Sequence, residues 1–159
     1  MLIVEDGTGV EDAESYLTIS DAEDIILKFK PNSPFPSLTT EEKEAYLRVA
    51  SFTIDTELSF IGEKVNEDQG LEWPRVYVIN GVEYSDVPKV IHTVTAFLAN
   101  EQESLNGIYP KLKSQSFGDS SEEYAGVYSE GSSIVKYLNY IKKEGLASSS
   151  SSIVTLWRA

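Results

Sequence analysis

A tryptophan directly before a proline, at Trp73-Pro74, constrains this chain more than any other pair in it. The proline ring crowds the preceding residue toward extended geometry, so the helical patterning that leads in from the N-terminal side has to break here. Trp73 also hands a large apolar ring to whatever packs at that point. Leu71-Glu72-Trp73-Pro74-Arg75 therefore reads as a structural corner carried by Trp73, Pro74 and Arg75, with no chemical machinery of its own. After it, Arg75-Val76-Tyr77-Val78-Ile79 is rich in strand formers and meets Asn80-Gly81, the strongest two-residue hairpin signal. Val82-Glu83-Tyr84 would be the returning strand.

Helical patterning flanks the corner on both sides. A first short helix is expected with Ser20 as cap and Glu23 completing a capping box; Ile25, Ile26 and Phe29 give it a buried face and Pro31 stops it. The stiff Pro31-Asn32-Ser33-Pro34-Phe35-Pro36 connection follows. A second helix opens at Thr39 or Thr40, has acids in its first turns where the helix dipole favours them, and runs to about Ile61. Its apolar residues Leu47, Ala50, Ile54, Leu58 and Ile61 recur at spacings of three and four, and Gly62 ends it. A third helix takes Asp86 as cap and Pro88 in its first turn, burying Val90, Ile91, Val94, Phe97 and Leu98. A fourth starts at Ser132 or Ser133, carries Ile134, Val135, Tyr137, Leu138 and Ile141, and ends on Lys142, Lys143 and Gly145.

The fold class expected from these elements is mainly α: a four-helix bundle with small β-hairpins and extended N- and C-terminal arms. Residues 1–146 would form the domain, with residues 107–130 as a projecting loop, since a polar stretch of that length in a compact domain is functional or disordered. Within that loop Lys111, Lys113, Phe117 and Tyr124 are candidates for contact with a neighbouring subunit or a channel. Residues 147–159 would be a separate tail. The serine run Ser148 to Ser152 reads as a flexible linker, and Ile153, Val154, Leu156 and Trp157 as a hydrophobic tip that docks on a partner or folds back on its own body.

The 159-residue chain has 13 Lys+Arg against 26 Asp+Glu, a formal net charge of −13. Nucleic-acid binders ordinarily present a basic patch, because phosphate neutralisation supplies most of their affinity, so this balance argues against a protein that grips DNA. There is no Cys, which excludes disulfides and thiolate metal sites. The one histidine, His92, makes an imidazole metal site within one chain implausible and has no nucleophile to serve. Gly7-Thr8-Gly9 suggests a phosphate cradle, but acids flank it and it lacks the strand, helix and lysine that such loops use. The carboxylates near it do not have calcium-loop spacing. No catalytic residue, cofactor or metal is expected. No apolar run approaches the roughly 20 residues of a membrane span, and the acidic N-terminus is not a signal peptide, so synthesis in the cytoplasm is expected.

The segment Ile3-Val4-Glu5-Asp6-Gly7-Thr8-Gly9, then Ala13-Glu14-Ser15-Tyr16, the Leu71–Arg75 corner, and Val87-Pro88 opening a helix with Ala96 and Leu98 together resemble small phage neck proteins over about residues 1–140. These are head-to-tail connectors, or adaptors, and the same sequence group also carries a primosomal, DnaT-like single-stranded-DNA-binding label. The connector resemblance implies a structural virion protein of the neck. It would form a homo-oligomeric ring, commonly of twelve copies, beneath the portal protein. The ring would receive a tail or nozzle protein and let double-stranded DNA slide through an acidic channel, without catalysis. On that reading Ile153, Val154, Leu156 and Trp157 dock on the portal. The C-terminus departs from the family's usual short terminal helix.

A single-stranded-DNA-binding replication accessory protein is the rival. Aromatic residues make up 11% of the chain and could stack bases, but the only lysine clusters are Lys111/Lys113 and Lys142/Lys143.

Overall fold

The computed structural model describes residues 1–101 and 133–149. Among these residues the fold is mixed: four α-helices with five short strands in two small antiparallel sheets. The mainly-α bundle expected from periodicity is thereby corrected. Helix α1 is Ile19–Phe29, and after a short 3-10 turn at Phe35–Ser37 comes α2, Thr40–Glu57. Strands β1 (Leu58–Phe60), β2 (Glu63–Lys64), β3 (Arg75–Ile79) and β4 (Val82–Asp86) follow, then α3 (Lys89–Asn100), α4 (Ser133–Lys143) and β5 (Ala147–Ser149).

Helix α3 is the central element, packing against α1, α2 and α4. Its Ile91, Val94, Ala96, Leu98 and Ala99 are buried, and the core continues into Leu47, Ala50 and Ile54 of α2 and Ile134, Leu138 and Ile141 of α4. Helix α2 opens after Thr39 as expected, and the capping box forms here and not at Ser20–Glu23: the Glu42 N–H donates to Thr39 Oγ1 and the Thr39 N–H to the Glu42 carboxylate. The hairpin also forms where Asn80-Gly81 placed it, with φ of 52° and 79° at the two turn residues, the geometry a two-residue turn needs.

Several boundaries differ from expectation, each because a more distant contact prevails. The cap of α1 is Thr18, whose hydroxyl accepts from the Asp21 N–H at 3.1 Å; Ser20 lies within the helix. Phe29, expected in the buried face, sits at the end of α1 and is 59% exposed. Helix α2 stops at Glu57 because Leu58–Phe60 takes extended geometry to pair with Ala147–Ser149. That pairing puts Ser148 and Ser149, expected in a flexible linker, into a ladder opposite Ser59 and Leu58. Asp86 does not cap α3. It stays in register with Arg75 as the last residue of β4, where its carboxylate accepts from the Tyr77 hydroxyl at 3.0 Å, and Pro88 takes the N-cap position.

The N-terminal arm lies along the body. Val4 bridges Ser15 in parallel, and Gly70 donates its N–H to the Val10 carbonyl at 3.0 Å. A Cβ on Gly70 would stand 2.6 Å from the Ala13 carbonyl oxygen, so only glycine lets the corner approach the arm this closely.

Candidate functional site

The corner is built around Trp73, which is fully buried and joined to Pro74 by a cis peptide bond. Its ring meets Phe60 and Tyr77 edge-on, at centroid distances of 5.4 and 5.2 Å. Arg75 donates from Nε to the Ile61 carbonyl and from Nη2 to the Gly62 carbonyl, both at 2.8 Å, and from Nη1 to the Glu72 carboxylate at 2.8 Å. These bonds occupy the guanidinium with the turn that leads into the corner.

Behind Trp73 lies a polar strap that the sequence reading missed. The Trp73 N–H donates to the Tyr16 hydroxyl at 3.2 Å, the Tyr16 hydroxyl donates to Asp55 Oδ1 at 2.5 Å, and the Glu72 N–H donates to Asp55 Oδ2 at 3.1 Å. Burial pushes the Asp55 carboxyl up from 3.8 to about 7, against these hydrogen bonds, which favour its ionised form. Asp55 follows the buried Ser51 by one helical turn on α2, and Ser51 accepts from the Tyr16 N–H at 3.2 Å. The signal available in the sequence was that i, i+4 spacing of polar residues inside an apolar face.

The glycine loop holds its own anion. The Glu5 carboxylate accepts from the N–H groups of Gly7, Gly9 and Val10, each at 2.9 Å, so the amides that could cradle a phosphate are already engaged. Beside this loop a cleft of about 840 Å³ opens between the arm, α1 and the start of α3. Val4, Leu17, Ile25 and Val87 supply apolar wall, while Asp6, Asp21, Asp24 and Asp86 supply carboxylates. His92 lines it too. Burial lowers the pKa of its imidazole, opposed by Asp21 and Asp86. No group of three or more His, Cys, Asp or Glu among the described residues could hold a metal ion. No helix among them is long and apolar enough to cross a membrane.

On the other side of Phe29 an aromatic row crosses three helices. Phe29 of α1 meets Phe97 of α3 edge-on at 5.2 Å, Phe97 meets Tyr137 of α4 at 5.4 Å, and Tyr137 meets Tyr140 at 6.4 Å. The row is open at both ends, with Phe29 59% and Tyr140 51% exposed. Its middle is fixed by Glu101, whose Oε1 accepts from the Tyr137 hydroxyl and from Lys30 Nζ, both at 2.9 Å, and whose Oε2 accepts from the Ser133 hydroxyl.

Lysines frame this row. Lys136, Tyr140 and Lys143 fall at i, i+4 and i+7 and so share one stripe of α4, and Lys28 precedes Phe29 on α1. Among the described residues Lys28, Lys89, Lys136, Lys142 and Lys143 have no carboxylate partner, and of these Lys136 and Lys143 share the stripe of Tyr140. By contrast Lys30, Lys43, Arg48, Lys64 and Arg75 are all ion-paired. The row thus combines exposed ring faces with free cations. Of the residues singled out in the sequence, the structure brings Trp73, Pro74 and Arg75 together in the corner. Lys111, Lys113, Phe117, Tyr124, Ile153, Val154, Leu156 and Trp157 lie outside the described residues.

Comparison with known proteins gives one result for nearly the whole chain. Residues 1–147 match the family model described as "Putative DnaT-like ssDNA binding protein". No curated protein matches the chain, and no solved structure does. This match overturns the head-to-tail adaptor reading, along with the virion ring, portal and tail that it implied. The label that the family carries is the rival one.

Proposed function

From the premise that this chain belongs to the family described as DnaT-like ssDNA-binding proteins, we propose that it binds single-stranded DNA along the aromatic row Phe29–Phe97–Tyr137–Tyr140. Bases stack on the exposed faces of Phe29 and Tyr140, and the phosphates between them meet Lys28, Lys136 and Lys143. The observation that carries this reading is the coincidence, on one surface, of rings with open faces and the lysines of this region that lack a carboxylate partner.

Stacking suits a chain of this charge. Every base has a π-face, so rings grip single strands without sequence preference and without relying on net positive charge. A protein with net charge −13 gains little from long-range attraction, so contact has to come from rings and a few lysines at short range. Duplex DNA, whose bases are stacked on one another, offers the row nothing to stack on, and discrimination in favour of single strands follows. The reading is of a binding protein and assigns no catalytic step.

The test is a fluorescence-anisotropy titration of a labelled oligothymidylate with the wild type, Phe29→Ala and Tyr140→Ala. Each stacked base is worth about 1–3 kcal/mol by alanine substitution, so each variant should bind roughly 5- to 150-fold more weakly. Both side chains are half or more exposed, so the fold should be unaffected. Unchanged affinity in both variants, or equal affinity for duplex, refutes the proposal.

A further inference from the structure

Among the described residues strand β4 is a free edge of the β2–β3–β4 sheet, and each of its five residues is exposed. The two-residue turn fixes which of its backbone groups are spoken for. Ile79 and Val82 flank the turn and exchange hydrogen bonds, and alternation then makes Tyr77–Tyr84 and Arg75–Asp86 the other bonded pairs. The N–H and C=O of Glu83 and Ser85 therefore point away from β3. No hydrogen bond outside the ladder engages them among the described residues. Val82 and Tyr84 lie on the sheet face that carries Tyr77, on which the Tyr84 ring stacks at 5.2 Å and 17°. They remain 52% and 41% exposed, because the hairpin overhangs the core.

We propose that this edge pairs with β4 of a second copy of the chain, antiparallel, about a two-fold axis through Tyr84. In that register Glu83 and Ser85 of one copy face Ser85 and Glu83 of the other, and these are the residues whose backbone groups are free. Tyr84 meets Tyr84 at a non-bonded position, where side chains come closest, and Val82 lies opposite Asp86. The charges select this register from its neighbours. A shift of two residues one way sets Glu83 against Glu83, a like-charge pair directly opposite; the same shift the other way leaves Val82 without a partner. Two hairpins joined in this way bury roughly half or less of the 800 Å² per partner found in stable interfaces. The dimer is accordingly a weak one, populated at high protein concentration or when two copies are held close together.

Two measurements on the full chain test this. Sedimentation equilibrium from low micromolar to near-millimolar protein should show mass rising from monomer toward dimer. Ser85→Pro removes an outward N–H from the edge without touching the β3 ladder, where proline is tolerated, and should hold the mass at monomer with an unchanged circular dichroism spectrum. The chain has no cysteine, so Tyr84→Cys places a single thiol opposite its own copy, with Cα atoms about 4.5 Å apart and within the range a disulfide spans. Oxidation should convert Tyr84→Cys to covalent dimer at least tenfold faster than Val78→Cys, whose more exposed site lies on the inner strand β3. Monomeric mass throughout, with equal oxidation rates for the two cysteine variants, overturns the proposal. So does concentration-independent protection of the Glu83 and Ser85 amides from hydrogen exchange in a monomer, which would instead assign the edge to the chain's own residues 153–157. Because Tyr84→Cys leaves the strand backbone intact, a failure of Ser85→Pro to fold does not remove the test.

Discussion

Replacing Lys136 and Lys143 together by glutamine removes two of the three cations that frame the aromatic row, and the consequence can be worked out in advance. Single-stranded DNA releases about 0.7 counterion for each phosphate neutralised, so contacts from Lys28, Lys136 and Lys143 give the wild type a slope of about −2 in a plot of log affinity against log salt. Between about 50 and 200 mM salt the wild type should then lose about 20-fold in affinity. The double variant keeps one contact, and its slope should fall to about −0.7. At about 50 mM salt the two lost contacts are together worth about 70-fold, the counterion-release factor extrapolated to the molar reference. Both side chains are exposed on α4, so stability should stay within about 0.5 kcal/mol of wild type. Lys89→Gln is the control, since Lys89 opens α3, about 12 Å of helix before Phe97, and its loss should leave the slope unchanged. The assay is an anisotropy titration of an oligothymidylate at four or more salt concentrations. A wild-type slope near zero, or an equal fall in slope for Lys89→Gln, refutes the placement of the strand.

Two further outcomes concern the corner that supports this surface. Asp55 has a folded-state pKa raised by burial to about 7; its contribution to stability is therefore full below the unfolded carboxylate value and is lost as pH rises through 7. The difference in melting temperature between wild type and Asp55→Asn should shift against the wild type between pH 5 and 8, a comparison that cancels the opposite trend from His92; a difference that does not move with pH would refute the assignment. Trp73→Ala should cost about 3–5 kcal/mol. Trp73→Phe should cost less than about 1 kcal/mol, because Trp73 Nε1 is buried without an acceptor among the described residues and removing that N–H offsets part of the lost ring contact. Chemical denaturation measures both, and equal losses would show that the indole N–H is satisfied.

What could be read from the sequence was local. The opening of α2 at Thr39 and the Asn80-Gly81 turn involve residues at most three apart, and both form where their chemistry indicates, whereas the box expected at Ser20–Glu23 gives way to a cap at Thr18. Apolar spacing gave the inner faces of α3 and α4 for the same reason. The features that turn a helical bundle into a mixed fold are non-local. Leu58 continues the period of α2 and would extend it toward Ile61, but β5, about ninety residues on, offers it a ladder instead. A serine run has no composition signal for that partnership. The Asp55–Tyr16–Trp73 strap likewise joins three segments that neighbour one another only once the chain is folded.

The same distinction governs the candidate site. Phe29, Phe97, Tyr137 and Tyr140 sit on three helices, and each helix taken singly reads them as core or as scattered surface rings; only the packing of α1 and α4 on α3 lines them up. Net charge misleads in a related way. A sum of −13 argues against a nucleic-acid partner only if the charges act at a distance, and at physiological salt they are screened beyond about 8 Å. Within that radius the relevant quantity is which cations lack a carboxylate. Five of the ten basic side chains among the described residues are engaged in ion pairs, and the stripe Lys136–Tyr140–Lys143 is not. An acidic protein that holds a single strand by stacking should bind weakly, release readily as salt rises, and show no affinity for duplex. Affinity for duplex equal to that for single strands would mean that charge rather than stacking carries the contact, and the aromatic row would lose its role.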